Sequence, residues 1–316
     1  MGFQQFLQNL LERVGLAEPP APPPHAADVP LADPQQLGPI FPRLALWGLK
    51  HLRLIAGAEP EADDLVQAVR RAAQLGMHVS VRGRASDLIR GELLCDLAAA
   101  GACEIEIPFL SAIGEVHDAL AGAGDYRSAL RAMDTLANLR LPLAAQVALV
   151  PSTWKTIERT LQLLDDRRLH NVRCFAIACR DEKPSNWAIS ASELVAAARW
   201  IEQFGPSRFN ITWYPPLKFD SAQTLAQQVR RGPRAAADAV RIEPDGRVIP
   251  PIGPAVVVGN MLRDDWKSIA RREVFRALKR RAETARRCDA CPGLAGCASG
   301  CLREAVNWAE GWAYLT

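Results

Sequence analysis

Short apolar segments alternate with longer amphipathic segments along the chain from residue 43 to residue 214. The apolar segments, rich in Ile, Val and Phe, lie at 52–56, 77–82, 103–109, 143–150, 172–178 and 208–214. Between them lie amphipathic segments at 62–75, 86–100, 126–140, 155–168 and 190–204. Strands that alternate with helices in this way form βαβ units and a parallel sheet. Right-handed crossovers then curl six such strands into a partial (β/α)6 barrel, whose ligands bind at the carboxyl ends of the strands.

Four of the eight cysteines lie close together near the C-terminus, at the spacing C-x2-C-x5-C-x3-C. They are Cys288, Cys291, Cys297 and Cys301. Thiolates at this spacing hold a zinc ion or an iron–sulfur cluster. The remaining cysteines occur singly, and we expect each to be a small buried hydrophobe: Cys95, Cys103, Cys174 and Cys179. The five histidines are scattered in the sequence and no two of them show metal-ligand spacing.

Composition excludes several classes of function. The net charge of +3, from 38 basic and 35 acidic residues, is too small to indicate nucleic-acid binding. No apolar run is long enough to span a bilayer. The N-terminus has no basic start followed by an apolar core, so we expect no secretory signal and a cytoplasmic location. In a reducing compartment the clustered thiols are expected to bind metal rather than to form disulfides.

The N-terminal part of the chain is predicted to be a short helix on a tether. Residues 1–17 place apolar side chains at helical spacing: Phe3, Phe6, Leu7, Leu10, Leu11 and Val14. Residues 18–42 are rich in Pro and Ala and are interpreted as an extended linker. The helix could dock on a partner or pack back onto its own domain. Its single positive charge, Arg13, disfavours membrane binding.

Three successive strand ends carry a recognisable pattern. Ala56-Gly57-Ala58-Glu59-Pro60 follows one strand, Arg82-Gly83-Arg84-Ala85 follows the next, and Glu104-Ile105-Glu106-Ile107 lies in the third. This progression resembles a radical S-adenosylmethionine protein with a C-terminal SPASM domain. In that family a Gly-Gly-Glu-Pro loop after the second strand holds the amino group of S-adenosylmethionine. The resemblance implies this position for Gly57, Glu59 and Pro60, with Ala58 replacing one glycine, although Glu59 could instead be a relic that caps the following helix.

The resemblance divides the chain into a partial barrel at 43–232 and a SPASM-like metal-binding domain at 233–316. Family members bind their catalytic cluster through a C-x3-C-x2-C loop after the first strand, and this sequence has no such triplet. A possible first strand at 43–47 is followed by the next strand after only a few residues. A parallel crossover needs a dozen residues or more, so we expect that the cluster loop and its helix are deleted.

The SPASM-like region is also incomplete. Asp245-Gly246 between two alternating apolar runs predicts a hairpin, and Gly259-Asn260 matches the family, but the cysteines expected near both are missing. The segment 263–287 is predicted to be a basic helix. The four cysteines could regroup around one [4Fe–4S] cluster or one Zn²⁺. Alternatively, Cys288, Cys291 and Cys297 could hold a cluster with a non-cysteine fourth ligand.

These observations lead to one functional expectation and two alternatives. The chain is expected to perform no radical chemistry alone and not to use S-adenosylmethionine. It would be an iron–sulfur-binding accessory or substrate-binding subunit that works with an active radical S-adenosylmethionine enzyme on a peptide, protein or cofactor. The alternatives are an active family oxidoreductase that uses the remaining cluster, and a zinc-stabilised binding module. No residue is predicted to be catalytic.

Overall fold

A computed structural model of the chain shows a large, mostly parallel β-sheet with helices packed on it. The structure describes residues 24–31, 37–57, 60–169, 171–176, 193, 196–197, 200–201, 209–214, 217–218, 239–249 and 257–272. The predicted N-terminal helix and the cysteines at 288–301 lie outside these residues. Within the described helices, none is long and apolar enough to cross a bilayer.

Eleven strands among the described residues form the sheet. They are β1 (Ala26–Pro30), β2 (His51–Ile55), β3 (His78–Arg82), β4 (Ala102–Pro108), β5 (Leu143–Leu149), β6 (Asn171–Ala176), β7 (Asn210–Tyr214), β8 (Leu217–Lys218), β9 (Ala239–Ile242), β10 (Arg247–Ile249) and β11 (Gly259–Asn260). Their order is β11-β10-β9-β1-β2-β3-β4-β5-β6-β7-β8. Pairing is parallel from β9 through β7 and antiparallel at both edges. The sheet stays open, and the predicted α/β partial barrel is confirmed.

Eight helices of the described residues accompany the strands. They are α1 (Ile40–Leu46), α2 (Ala62–Gln74), α3 (Ala85–Leu88), α4 (Leu93–Ala100), α5 (Gly114–Ala121), α6 (Asp125–Leu139), α7 (Ile157–Asp166) and α8 (Trp266–Ala270). One face of the sheet packs against helices and is apolar: alternate strand residues such as Leu52, Leu54, Val79 and Val81 are fully buried in one core with Leu65 and Val69 of α2. The six predicted strands from β2 to β7 are confirmed, as are α2 and α6.

The first strand is where the sequence-based prediction was wrong. Residues 26–30, interpreted as linker, form β1, which pairs with β2 on one side and β9 on the other. Ala27 and Val29 of this strand are fully buried. Its composition is Ala-Ala-Asp-Val-Pro, which has little intrinsic β-propensity, so long-range pairing and burial determine its structure.

The segment predicted as a first strand, 43–47, is instead the end of α1. Ile40, Phe41 and Leu44 are buried on one side of this helix, which is a helical and not an alternating spacing. Pro42 lies in the first turn, where a missing N–H costs no helical hydrogen bond. Residues 31–50 therefore form a complete crossover from β1 to β2. The expectation that a helix is deleted at this point is wrong, because α1 lies between β1 and β2. Residues 32–36 lie outside the described part of the chain, and their sequence contains no cysteine.

Two other helix predictions need correction. The segment 86–100 divides into α3 and α4 at Gly91, whose φ of +54° ends the helical path. The segment 263–287 is not one continuous helix, because α8 ends at Ala270 and Arg271 caps it. Residues 273–287 lie outside the described part of the chain.

The predicted hairpin around Asp245-Gly246 is confirmed. The backbone N–H of Gly246 donates to the carbonyl of Glu243 at 2.8 Å, and Gly246 has a φ of +82°. A Cβ at this position would lie 2.7 Å from Cγ of Leu262, so a glycine is required for both backbone and space. Because β9 pairs with β1, this hairpin continues the barrel sheet across the predicted domain boundary at 232.

Candidate functional site at the carboxyl ends of the strands

The face of the sheet opposite the apolar core carries a network of charged side chains centred on Glu106. This carboxylate, on β4, is fully buried. Oε1 accepts from Nε of Arg82 at 2.7 Å and from the amide of Gln146. Oε2 forms ion pairs with Arg53, at 3.3 Å from its Nε, and with Arg173. One carboxylate thus joins four neighbouring strands, β2, β3, β5 and β6, to β4.

Two further acids form ion pairs with arginines that contact Glu106. Together with Gln146, these residues form what we call the polar network: Asp28, Arg53, Arg82, Glu104, Glu106, Gln146 and Arg173. Asp28 of β1 pairs with Arg53 at 3.1 Å, and Glu104 pairs with Arg173. The network therefore contains three arginines and three acids. Its members are mostly buried, so the attraction between them is weakly screened by water.

The pKa of Arg173 shows that its buried position disfavours the positive charge. Burial, and then the positive charge of Arg53, lower the pKa of Arg173 to about 9. Arg173 still carries its proton at neutral pH, because that value lies well above 7. The guanidinium is held charged in a site that disfavours the charge. Arg173 therefore keeps its positive charge because the carboxylates of Glu104 and Glu106 pair with it.

The family resemblance implies that Gly57, Glu59 and Pro60 contact S-adenosylmethionine. In the sequence they follow the carboxyl end of β2, just past Ala56. The backbone N–H of Ala56 donates to the carbonyl of Arg82 at 2.7 Å and extends the pairing of β2 with β3. Gly57 is exposed, and a Cβ built on it would meet no atom within 4 Å. Pro60 is half-buried. Glu59 lies outside the described residues, so its predicted contact with an amine stays a prediction.

The loop between β1 and α1 is the position at which the family resemblance implies the catalytic cluster. Its residues, 31–39, include no cysteine, and the first cysteine of the chain is Cys95. The N–H of Leu31 donates to the carbonyl of Ile55 at 2.7 Å, so the loop starts as a continuation of the sheet. Carboxylate and amide groups are the polar side chains that it offers. This donor set does not fit a cluster held by three thiolates.

A buried His–Asp pair orders the neighbouring loop after β4. His117 of α5 accepts the backbone N–H of Leu110 at its Nδ1 at 3.1 Å. That contact assigns the proton to Nε2, which donates to Oδ2 of Asp125 at 3.0 Å. Oδ1 of Asp125 accepts the N–H of Ser86 at 2.9 Å. The pair therefore joins α3, α5 and α6 to the rim of the barrel, and it is too buried to contact a substrate.

Two effects of opposite sign act on the pKa of Asp125. Burial raises the pKa of its carboxyl, but the hydrogen bonds from His117 and Ser86 outweigh burial and hold the pKa below its ordinary value. Asp125 is therefore ionised throughout the neutral range. It is a structural anion whose role is to position His117 and, through it, residues 109–113.

The loops after β4 and β5 are also joined to each other. The hydroxyl groups of Ser111 and Thr156 lie 3.1 Å apart, and the N–H of Ala112 donates to Oγ1 of Thr160 at 3.0 Å. Thr153 caps the turn after β5 by accepting the N–H of Val150 at 3.0 Å. This side of the rim is thus held by side-chain hydrogen bonds between β4, β5 and α7.

Cys179 lies outside the described residues, and the other three isolated cysteines only partly agree with the prediction of burial. Cys174 is fully buried, and burial raises the pKa of its thiol to about 12. Cys95 and Cys103 are exposed, which contradicts the prediction. Cys95 lies on the outer side of α4. Cys103 lies beside an irregularity in the register of β3 with β4, and its Sγ donates to the carbonyl of Val79 at 3.1 Å.

Three histidines that are far apart in sequence meet at the opposite, amino edge of the sheet. The ring centroids of His25 and His51 are 4.5 Å apart, and those of His51 and His78 are 5.3 Å apart. Burial, and then the charges of His25 and His78, lower the pKa of His51. The description of the histidines as scattered therefore holds for the sequence and is wrong for the fold.

The polar network was missed by the sequence analysis, although the sequence contains a signal for it. A parallel sheet covered on both faces has continuous apolar strands. Here charges interrupt the strands at every second residue, as in Leu52-Arg53-Leu54, Glu104-Ile105-Glu106 and Val172-Arg173-Cys174. Alternation of this kind, with charges of opposite sign on neighbouring strands, indicates a polar barrel interior.

Comparison with known proteins gives a fold but no sequence family. No protein-family model matches the chain, and no curated protein matches it significantly. Among solved structures, it is similar to anSMEcpe with bound AdoMet and a Cp18Cys peptide, with a TM-score of 0.65 and 12% identity over 89% of this chain and 90% of that chain. It is also similar to SuiB of Streptococcus suis bound to S-adenosylmethionine, with a TM-score of 0.66 and 11% identity over 95% and 79% of the two chains.

A further structure of SuiB, bound to the precursor peptide SuiA, matches with a TM-score of 0.64 and 11% identity over 96% of this chain and 78% of that chain. Identities this low show a shared fold and not a shared activity. The chain therefore shares the α/β fold of these two proteins, with a mostly parallel open sheet, which is the fold class predicted from the sequence.

Proposed function

We propose that this chain is a non-catalytic member of the radical S-adenosylmethionine/SPASM fold that works with an active partner enzyme. The observation that carries the proposal is the β1–α1 crossover. The chain passes from β1 to α1 through residues 31–39, and the sequence of these residues contains no thiolate to bind a cluster. Without thiolates, this loop would hold no iron from which an electron could enter the sulfonium bond of S-adenosylmethionine.

The barrel interior supports a binding role. In an enzyme of this fold the carboxyl ends of the strands surround reactants. Among the described residues of the barrel interior, the charged side chains of the polar network form ion pairs with one another around Glu106. Such a network makes the barrel rigid, and a rigid rim suits the presentation of loops to a bound molecule.

The proposed ligand class is a peptide or protein segment. Two similar structures contain bound peptides, Cp18Cys in anSMEcpe and the precursor peptide SuiA in SuiB. We place the corresponding segment of this system at the carboxyl edge, near Gly57, where an added side chain would meet open space. The chain would hold the segment, and the partner would carry out the chemistry.

The four clustered cysteines complete the proposal. Cys288, Cys291, Cys297 and Cys301 would hold one [4Fe–4S] cluster, which would stabilise a SPASM-like domain. A single zinc ion on four thiolates is the alternative. Anaerobic purification with metal analysis separates them: iron, sulfide and a broad visible absorption support the cluster, whereas one zinc in colourless protein supports the structural site.

Anaerobic co-purification from the native source tests the accessory role. The tagged chain is expected to elute with a second protein whose sequence contains C-x3-C-x2-C, and the complex is expected to form 5′-deoxyadenosine. We propose that the predicted N-terminal helix supplies the docking face. Leu7→Asp/Leu10→Asp should therefore remove the partner, because it charges the apolar side of that helix.

The matched control adds the same two charges to the polar side of the helix. Gln5→Asp/Asn9→Asp should keep the partner at the unaltered yield. A chain that elutes alone as a monomer under these conditions would contradict the accessory role. Equal loss of partner in both double variants would contradict docking through the apolar face.

A further inference from the structure

Histidines from three neighbouring strands form a row at the amino edge of the sheet, far from the proposed rim. Parallel pairing brings His51 of β2 directly opposite His78 of β3. His25 lies one residue before β1, whose first residue pairs with His51. All three side chains are exposed, and in the described part of the chain no other side chain hydrogen-bonds to their rings.

The ring separations fit metal chelation. Imidazole nitrogen binds zinc at about 2.0–2.1 Å, which puts each ring centroid about 3.2 Å from the ion. Two rings that meet at an angle of about 90–110° then have centroids about 4.5–5.2 Å apart. The observed distances are 4.5 Å for His25 and His51 and 5.3 Å for His51 and His78.

The tilt between the rings distinguishes the two pairs. The planes of His25 and His51 are inclined by 50°, an orientation that two imidazole rings bound to one ion can have. His78 is stacked on His51 at 23°, and it needs a side-chain rotation to reach the same point. In the described part of the chain, no three His, Cys, Asp or Glu residues already surround one position. A site in which His25 and His51 bind the ion and His78 joins them after a side-chain rotation is the arrangement that this geometry allows.

We propose that His25 and His51 chelate a divalent transition metal ion of borderline softness, such as Zn²⁺, with His78 as a third ligand. Water completes the coordination sphere, as at zinc sites with an open position. The ion would join β1, β2 and β3 at their amino ends. This site is independent of the cysteine cluster and of the proposed accessory role.

The test uses the full chain with its cysteine site already loaded. Zn²⁺ is added while the imidazole ¹⁵N signals are followed by NMR and the stoichiometry by calorimetry. One further equivalent of zinc is expected to bind and to shift the signals of His25 and His51. His51→Gln should weaken this binding by at least about tenfold, since it removes a ligand shared by both ring pairs.

Lys50→Gln is the matched control, because Lys50 is exposed and directly precedes His51. It should bind zinc like the unaltered chain. His78→Gln should weaken binding less than His51→Gln does. Imidazole signals that do not move on addition of zinc, or equal zinc binding by His51→Gln and the unaltered chain, would overturn the proposal.

Discussion

Replacing Glu106 with glutamine is expected to lower the free energy of unfolding by about 3–5 kcal/mol, the usual cost of removing one partner from a buried ion pair. The Glu106 carboxylate is fully buried and accepts from Arg82 and Gln146 while pairing with Arg53 and Arg173. Glutamine keeps the shape of the side chain but removes the charge. The arginines then stay buried with less compensation. Urea denaturation followed by circular dichroism measures the change.

Glu104→Gln provides the matched control for this prediction. Glu104 lies on the same strand and the same face, but its side chain is 18% exposed, and the arginine that it pairs with is Arg173. Its replacement should cost less than half as much as that of Glu106. Equal effects of the two substitutions, or a loss below about 1 kcal/mol for Glu106→Gln, the size typical of a surface pair, would show that Glu106 is not the centre of the network.

Replacing Asp125 with asparagine is expected to lower the free energy of unfolding by about 2–3 kcal/mol at pH 7, the range for hydrogen bonds to a buried charge. Asp125 accepts from both Nε2 of His117 and the N–H of Ser86. Asparagine has one carbonyl oxygen for these two donors, so one of them stays unsatisfied. Urea denaturation of both proteins at several pH values gives the difference.

The direction of the pKa shift of Asp125 determines how the effect of Asp125→Asn on stability changes with pH. The pKa of Asp125 is lower in the folded chain than its ordinary value of 3.8. Its contribution is therefore complete above about pH 4 and is lost as the pH falls through the folded pKa. The gap between the unaltered chain and Asp125→Asn should narrow below about pH 4. A gap that stays constant with pH would contradict the ionised state of Asp125.

Asp134→Asn is the control for general effects of removing an acid. Asp134 lies on the same helix as Asp125 but is 68% exposed and pairs with Arg167 at the surface. Its replacement should change the free energy of unfolding by less than about 1 kcal/mol, since solvent screens such pairs.

The alternation of strands and helices was readable from the sequence because it depends on local periodicity. β2 to β7 lie where their apolar runs predict, and α2 and α6 begin and end within a residue or two of the predicted bounds. β1 could not be read in the same way. Its five residues look like linker, and they form a strand only because β2 and β9 lie on either side.

That single miss affected the prediction of function. With β1 unrecognised, α1 was assigned as the first strand and the cluster loop was taken as deleted. With β1 and α1 assigned, the sequence between them contains no cysteine, which supports the same proposed function for a different reason. The row formed by His25, His51 and His78 could not be predicted without β1 either. The pairing of β1 with β2 is what brings His25 next to His51.

The polar network could not be predicted from the sequence for a different reason. Its members are spread along the sequence from Asp28 to Arg173, and each arginine meets its acids across neighbouring strands rather than within one segment. The alternation of charged and apolar residues shows which face each side chain occupies. The strand order decides which side chains meet, and that order is a property of the whole fold.

We propose that this chain performs no radical S-adenosylmethionine chemistry on its own. The most direct measurement is an anaerobic assay of the purified chain, reconstituted with iron and sulfide, with S-adenosylmethionine and a strong reductant. We predict no 5′-deoxyadenosine above a control without protein, because residues 31–39 supply no thiolate. Formation of 5′-deoxyadenosine in proportion to the amount of chain would contradict the account.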